Sequence, residues 1–424
     1  MLRIRAGRGQ GDLWRVLRVS TASPGPLAAE AAAARGGASA EAMLAIVQEL
    51  ASDKYLGRRI GTRGGKAAAL WLAERLGGLG ATVTLDSFEA GGVKELRATP
   101  TLIVGQRRLV HRRDFAEQLS SAEVLDPRPG LLVSANADSW CSSWAVVGAA
   151  DAEAIARAEA EQAAGLLVPR GVDEAGWMPK MIAGPPMGQI AILSVRTDLH
   201  TELAHRLGET VTASVPMRTV TATGTNLYGV FAEPLPGGVT VLLTAHFDGV
   251  GDDPLLRHPA AGDNASGVAV VLEAARLLSA RLPSGVGLAV ALLDGEEVGA
   301  RGSARHAPQL APGTYVINVD GAAQLGAAAA VEAGGPAEPL LAAIDQAGRL
   351  TGVPLQAGAM ASDNRRYAAA GLPAIGIGMG MPGYQTTAET PDRVEARTLV
   401  AATNLVTATV NQLVNNSAQL GETP

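Results

Sequence analysis

Histidine and carboxylate side chains follow strand-like runs in the C-terminal half of this chain. Residues 239–245 have the pattern of a strand buried on both faces, and they lead directly into His246 and Asp248. The imidazole could bind a metal ion while Asp248 accepts a hydrogen bond from the other ring nitrogen. Alone, such a pair is more often an ordinary structural feature than a metal site.

Two adjacent glutamates, Glu296 and Glu297, follow the apolar run 286–293. After a buried strand the two carboxylates would repel each other and lose hydration, and one bound cation would offset both costs. One glutamate could ligate the cation while its neighbour takes a proton from a water that the cation activates. A solvated acidic turn is the alternative.

Two aspartates complete the set of candidate ligands. Asp263 opens a predicted helix at 268–280, although the neighbouring Asn264 or Ser266 could simply cap that helix. Asp320 follows the predicted strand 315–319. Nitrogen and oxygen ligands without a thiolate suit zinc better than manganese or cobalt. Jointly, these residues favour a metal site over coincidence.

The segments that position these residues alternate between strand and helix patterns. Strands are predicted at 239–245, 286–293, 315–319 and 374–377, and helices at 268–280 and 340–350. This order predicts an α/β fold with a doubly wound, mixed sheet and helices on both faces. Ligands of such sheets gather beyond the carboxyl ends of the strands, where His246 and Glu296 are placed.

The rest of the chain divides into a tail, the start of this α/β unit and an insertion. Residues 1–40 are expected to be a flexible tail, because much of this segment is rich in Ala, Gly, Ser and Pro. Residues 41–95 contain two helical patterns, the second ending at Gly80, and then a strand; together with 222–418 they form the α/β unit. Residues 96–221 show short β-like runs separated by Pro and Gly clusters such as 127–130, which predicts an inserted β-rich domain.

Composition excludes several function classes. The net charge of -6 gives no reason to expect nucleic acid or an anionic membrane as partner. The single cysteine, Cys141, excludes an internal disulfide and a cysteine-built zinc site. The chain has no apolar run long enough for a transmembrane helix, and its arginine-rich start lacks the apolar stretch of a secretory signal, so we expect a cytoplasmic protein. Oligomeric state stays open.

The ordered set of candidate ligands resembles the signature of the M28 family of zinc metallopeptidases, of the aminopeptidase type. It comprises His246, Asp248, Asp263 in its 262–267 segment, Glu296, Glu297 and Asp320. Segments 56–80, 361–363 and 371–374 are also similar to that family, so the resemblance covers about 42–95 and 222–418. Residues 96–221 resemble, less specifically, a protease-associated (PA) domain.

The resemblance implies a zinc exopeptidase-like, phosphorylase/hydrolase-like fold and a role for each site residue. Asp263 would bridge two zinc ions, with His246 and Asp320 completing one site and Glu297 serving the other. Glu296 would be the general base, and Tyr384 would stabilise the oxyanion. Asp248 and Asp363 would orient the ligand side chains without binding the metal themselves.

One position departs from the family pattern. Gln385 stands where the family carries its last histidine ligand, and no histidine follows His306. Asn364, after Asp363, also replaces a histidine of the family. Glutamine is a poorer zinc ligand than imidazole, so we expect one zinc to bind tightly and a second to bind weakly or not at all. Glu389 or His258 could supply a substitute ligand. His111, His200 and His205, in the insertion, and His306, in a surface-like helical run, are interpreted as ordinary.

The sequence therefore supports a leading hypothesis and an alternative. The leading hypothesis is a zinc-dependent exopeptidase, by family frequency an aminopeptidase, which hydrolyses peptides or small amides. The alternative is a catalytically impaired relative that binds peptides or proteins, motivated by Gln385 and opposed by retention of the other site residues. A cyclase of N-terminal glutamine on the same fold is less favoured, because its single metal would use the site that Gln385 weakens.

Overall fold

The structure, a computed structural model, describes residues 37–180 and 188–421. The tail expected at 1–40 therefore lies almost wholly outside the described residues. The first described helix begins at Ala40, where the Ser39 hydroxyl caps it by accepting from the amide of Ala42.

Helices and strands alternate along the described chain. The strands are β1 (Thr82–Leu96), β2 (Thr101–Val104), β3 (Arg107–Arg108), β4 (Phe115–Glu117), β5 (Val124–Ser134), β6 (Trp144–Val146), β7 (Gly165–Arg170), β8 (Ile192–Arg196), β9 (Thr210–Val215), β10 (Met217–Ala232), β11 (Thr240–His246), β12 (Gly287–Leu293), β13 (Thr314–Val319), β14 (Ala329–Gly334), β15 (Leu355–Ala357) and β16 (Ala374–Gly378). The helices are α1 (Ala40–Leu50), α2 (Arg63–Gly78), α3 (Ala152–Ala160), α4 (Thr197–Leu203), α5 (Gly267–Ser279), α6 (Arg301–His306), α7 (Glu338–Thr351), α8 (Asn364–Ala369) and α9 (Ala396–Gly421). None of the described helices has both the length and the apolar character required to cross a bilayer.

The first sheet is mixed and has the strand order β1-β10-β12-β11-β13-β16-β14-β15. Its centre, β12-β11-β13-β16, is parallel, so these strands end at one edge. Side chains alternate across this centre: Val241 and Leu243 of β11 pack with α1, α2, α5, α7 and α9, whereas Leu242 packs with the opposite layer that contains α8. The doubly wound sheet with helices on both faces is confirmed.

The second sheet has the order β3-β2-β9-β5-β6-β7-β8-β4, and its strands all lie within residues 101–215. It joins the first sheet through the long antiparallel pair β1 and β10, whose register runs from Thr82↔Val230 to Leu96↔Met217. The chain thus leaves the first sheet along β1 and returns to it along the neighbouring strand β10.

Three sequence expectations about elements need correction. The Pro and Gly cluster 127–130 does not separate strands, because β5 runs through it with a register shift between Val124 and Arg128 that accommodates the prolines. His306 is not on the surface: it is buried, stacks on Tyr228 and has its Nδ1 2.9 Å from the Tyr367 hydroxyl. The long strand β10, the last two strands of the first sheet, β14 and β15, and the final helix α9 were not predicted.

Candidate metal centre

Three candidate ligands converge at the carboxyl edge of the first sheet. His246 is the last residue of β11, Asp320 directly follows the adjacent parallel strand β13, and Asp263 precedes α5. His246 Nε2 lies 3.0 Å from Asp263 Oδ1 and 3.3 Å from Asp320 Oδ1. One ligand atom from each residue lies within 4.8 Å of the others. The cluster is nearly closed to solvent, with His246 fully buried.

Asp248 connects the histidine to the glutamate pair. Its main-chain oxygen lies 3.2 Å from His246 Nδ1, and its carboxylate lies 3.5 Å from the same nitrogen. The carboxylate also accepts from the amides of Glu296, at 3.1 Å, and Glu297, at 3.3 Å. Asp248 can thus fix the ring tautomer and the turn after β12 together.

The segment around Asp263 is held by its polar neighbours. Asn264 Oδ1 accepts from the amides of Gly267, at 2.9 Å, and Gly321, at 3.1 Å. Ser266 donates to the carbonyl of Gly262 at 2.6 Å and accepts from the amide of Ala322 at 2.7 Å. Asn264 therefore does cap α5, as one interpretation held, and the same bonds orient Asp263 and Asp320.

Glu297 and Gln385 face each other on the other side of Asp263's segment. Gln385 Nε2 donates to Glu297 Oε2 at 2.7 Å, and both residues are buried. Glu297 Oε1 and Gln385 Oε1 have no hydrogen-bond partner in the described part of the chain. Burial, reinforced by Asp263 and Glu296, raises the pKa of Glu297 well above its ordinary value.

Glu389 is buried beneath this pair and holds both ligand segments. Its Oε1 accepts from the amide of Asp263, and its Oε2 accepts from the amide of Gln385 at 2.8 Å. These bonds make Glu389 a positioning residue for Asp263 and Gln385. His258 lies outside the cluster of candidate ligands and has its Nε2 3.1 Å from Asp253.

Glu296 and Tyr384 line a cleft of about 600 Å³ that also reaches Glu297 and Gln385. The Tyr384 side chain is half exposed, and its hydroxyl lies 3.1 Å from Gln385 Nε2. Burial raises the pKa of Glu296 well above its ordinary value. The cleft therefore places a carboxyl group and a phenol where a substrate can reach both.

Asp363, the other predicted supporting residue, is fully buried, and its carboxylate is bonded to Ser303 rather than to a candidate ligand. Its Oδ1 accepts from the Ser303 hydroxyl at 2.5 Å, while Oδ2 has no donor among the described residues. Burial raises its pKa to about 7. The adjacent Asn364 donates to Glu332 at 3.2 Å, away from the cluster, so the histidine missing there has no local substitute.

Arg58 is a buried cation that sequence reasoning did not single out. Its guanidinium donates to the carbonyl oxygens of Leu50, Phe247, Pro259 and Ala260 at 2.7–3.0 Å. It ties the early helical segment to the loop that follows β11. No periodicity could have revealed this role; the signal in the sequence is only its place after Gly57, in a tight turn.

The charge balance of the site supports a bound cation. Burial raises the pKa values of Asp263, Glu297 and Glu389, and the negative charge of Asp263 raises those of both glutamates further. Within residues 37–180 and 188–421, no lysine or arginine forms an ion pair with them. An imidazole nitrogen and carboxylate oxygens are the ligand atoms of a catalytic zinc site. The buried oxygens of Glu297 and Gln385 that accept no hydrogen bond also fit a bound cation.

The second sheet contacts the segment that carries Tyr384 and Gln385. The amide of Lys180 donates to the carbonyl of Gln385 at 2.8 Å, and the Thr386 hydroxyl donates to Asp173 at 2.8 Å. Arg393 pairs with Glu174 at 2.6 Å. The loop after β7 is thus part of the wall that shapes the site.

Comparisons with known proteins agree with this geometry. The model of peptidase family M28 matches residues 230–410, and no curated protein sequence matches the chain. A zinc aminopeptidase from Bacillus subtilis has a TM-score of 0.70 and 21% identity, over 88% of this chain and 94% of that one. An aminopeptidase from Aneurinibacillus sp. strain AM-1 has a TM-score of 0.66 and 20% identity over 88% and 94%. A peptidase M28 precursor from Shewanella amazonensis SB2B has a TM-score of 0.64 and 17% identity over 88% and 95%. The structural likeness establishes a shared fold.

Proposed function

Because residues 230–410 belong to peptidase family M28, a family of hydrolases, we propose that this chain is a zinc-dependent exopeptidase and, more narrowly, an aminopeptidase. The observation that carries the proposal is the convergence of His246, Asp263 and Asp320 within 4.8 Å. Glu296 lines the cleft beside them. The fold shared with two aminopeptidases supports the narrower assignment.

His246, Asp263 and Asp320 would hold the catalytic zinc. Bound there, zinc would supply Lewis acidity, polarising the scissile carbonyl and making a water molecule easier to deprotonate. One imidazole and two carboxylates leave a tetrahedral ion one open position, as catalytic sites require. Glu297 and Gln385 would form a weaker second site, since an amide replaces an imidazole.

Glu296 is proposed as the general base and acid. It takes the proton of the attacking water as the C–O bond forms, and it passes that proton to the leaving amine nitrogen as the C–N bond breaks. Burial raises the pKa of this carboxyl group above its ordinary value, the direction in which enzymes commonly shift glutamates that serve in acid–base catalysis. The Tyr384 hydroxyl donates a hydrogen bond to the oxyanion that develops between these steps.

We also propose that the inserted unit, residues 96–221, is a PA-like domain. Its support is a second sheet built within 101–215 and the contacts of its 171–180 loop with the Tyr384 segment. The alternative of a binding module without catalysis receives no support, because the imidazole and carboxylates of the first site stay together in a buried cluster.

Release of the N-terminal residue from short peptides tests the function. Leucyl-glycyl-glycine is incubated with protein stripped by a chelator, with and without added zinc. Free leucine should appear only with zinc, and the N-acetylated peptide should be inert. Activity that survives the chelator refutes the zinc mechanism, whereas cleavage of the blocked peptide from its C-terminal end refutes the aminopeptidase assignment.

A further inference from the structure

The cleft beside Glu296 carries positive charge that the hydrolysis does not use. Three arginines line it: Arg170 at the end of β7, and Arg365 and Arg366 on α8. They come from both units of the molecule, so the cleft lies between the second sheet and the first. Arg365 is committed to Glu332, with Nη2 2.9 Å from Oε1.

Among the described residues, Arg170 and Arg366 have no such partner. Arg366 donates to the carbonyl of Gly299 at 2.8 Å but forms no ion pair with a described residue. For Arg170, the described residues provide neither a hydrogen bond nor an ion pair, although its side chain is half-buried. The guanidinium stays protonated in proteins, so its charge is fixed.

Partial burial of an unpaired cation is unfavourable unless a ligand compensates it. Burial, followed by the positive charge of Arg112, lowers the pKa of Arg170, and the negative charge of Glu117 offsets this only in part. The two glutamates of the cleft do not neutralise these arginines, because neither Glu296 nor Glu297 lies within ion-pair distance of Arg170 or Arg366. Arg170, which is half-buried, and Arg366, which is exposed, thus line the cleft with positive charge that its own glutamates do not pair.

We infer that Arg170 and Arg366 bind a carboxylate of the substrate, so that this chain prefers peptides with an anionic group close to the scissile bond. The inference rests on the proposed peptidase function and names its substrate class. A planar guanidinium matches the two oxygens of a carboxylate, and carboxylates are the anions that peptides carry. A cleft of about 600 Å³ has room for a short peptide.

Such a carboxylate has two sources, and paired substrates separate them. Glutamyl-leucinamide against glutaminyl-leucinamide varies the side chain alone, and leucyl-leucine against leucyl-leucinamide varies the C-terminus alone. In at least one pair, kcat/KM of the zinc-loaded protein should favour the anionic member by roughly 10-fold or more, the size of a charge-assisted hydrogen bond.

Arginine variants assign that preference to the cleft. Arg170→Met and Arg366→Met should each collapse the anionic-to-neutral ratio toward one, and Arg170→Lys should retain part of it. Arg108→Met, exposed on β3 and outside the cleft, removes the same charge and should keep the wild-type ratio. A wild-type ratio of one or below in both pairs, or a ratio equally lost in Arg108→Met, overturns the inference.

Binding separates failure of this inference from failure of the proposed function. The same four peptides are titrated calorimetrically into zinc-loaded Glu296→Gln protein, in which turnover does not interfere. Tighter binding of the anionic member, lost in Glu296→Gln/Arg170→Met, supports the carboxylate site even if the wild type hydrolyses no peptide. Equal affinity within both pairs contradicts it even if hydrolysis is fast.

Discussion

The side-chain nitrogen of Gln385 lies 2.7 Å from Glu297 Oε2, at the position where a second metal ion would need a ligand. Nitrogen of a primary amide has no lone pair to give, and its oxygen is a weaker zinc ligand than imidazole. We predict that Gln385→His raises bound zinc from about one toward two ions per chain and speeds hydrolysis, because losing even a supporting partner of a ligand typically costs about 10- to 100-fold in affinity.

Zinc titration followed by elemental analysis measures this prediction. Gln385→Asn is the matched control, since it keeps the amide and should stay near one ion. Two tightly bound ions in the wild type would show that another side chain has taken over the histidine's role.

His306 makes stability depend on pH. Burial lowers its pKa from 6.5 to about 4. As pH falls from 6.5 toward 4, the unfolded chain binds this proton while the folded one does not. Folding stability should therefore decrease over that window, by about 3 kcal/mol when complete.

The difference between wild type and His306→Gln isolates this effect, since glutamine can still accept from Tyr367. Urea unfolding at pH 7 and pH 4.5 measures it, and the variant should lose less stability on acidification. Equal losses in both proteins would show that His306 does not titrate as its burial requires.

Several site residues were predictable because each directly follows a strand-like run. His246, Glu296 and Asp320 are of this kind, and parallel strand ends meet at one edge. Arg58 was not predictable as part of the site, and Glu389 was anticipated only as a substitute ligand, because their roles consist of contacts with main-chain groups far along the chain. No local pattern records such contacts.

Among the elements, the joint between the two sheets depends on a buried charge cluster at Asp253. Its carboxylate lies 2.8 Å from both Arg112 Nε and Lys180 Nζ, with all three side chains buried. Burial alone would raise the pKa of Asp253, but Lys180 and Arg112 hold it well below its ordinary value. Both cations lie within the span of the second sheet, and the carboxylate belongs to the loop after β11.

We predict that Asp253→Ala destabilises the fold by about 3–5 kcal/mol, because it leaves the buried Lys180 unpaired and removes one of the two carboxylates that pair with Arg112. Asp198→Ala is the control: it breaks the exposed pair with Arg196 and should cost less than about 1 kcal/mol. Chemical denaturation of both variants provides the comparison. A loss for Asp253→Ala as small as that of the control would show that the cluster does not join the two units.

The parallel centre of the first sheet was predictable, and its edges were not. Runs such as 239–245 and 286–293 are buried on both faces and lie within one residue of β11 and β12. In β10, by contrast, buried and exposed side chains are mixed. This long strand pairs with β1 along its length and extends past the part of the sheet on which helices pack. Strands β14 and β15 are short, and pairing with strands distant in sequence holds them in the sheet.

For the whole molecule, zinc should contribute to folding as well as to activity. The repelling carboxylates of the site keep their charge at low cost only when a cation is present. We predict that zinc at 100 times its dissociation constant stabilises the chain by about 2.7 kcal/mol, which raises the melting temperature. Magnesium at the same concentration should have little effect, since it favours all-oxygen sites. A melting temperature independent of zinc would contradict the metal site.

The most direct test of the account compares wild type with Glu296→Gln on leucyl-glycyl-glycine, with bound zinc measured in the same samples. We predict equal zinc in both proteins and a kcat about 100- to 10,000-fold lower in the variant, the usual contribution of a general base. Substitution of a ligand, His246→Ala, should instead lose the zinc together with the activity. If Glu296→Gln retains wild-type kcat with its zinc bound, Glu296 is not the proton shuttle and the proposed mechanism is wrong.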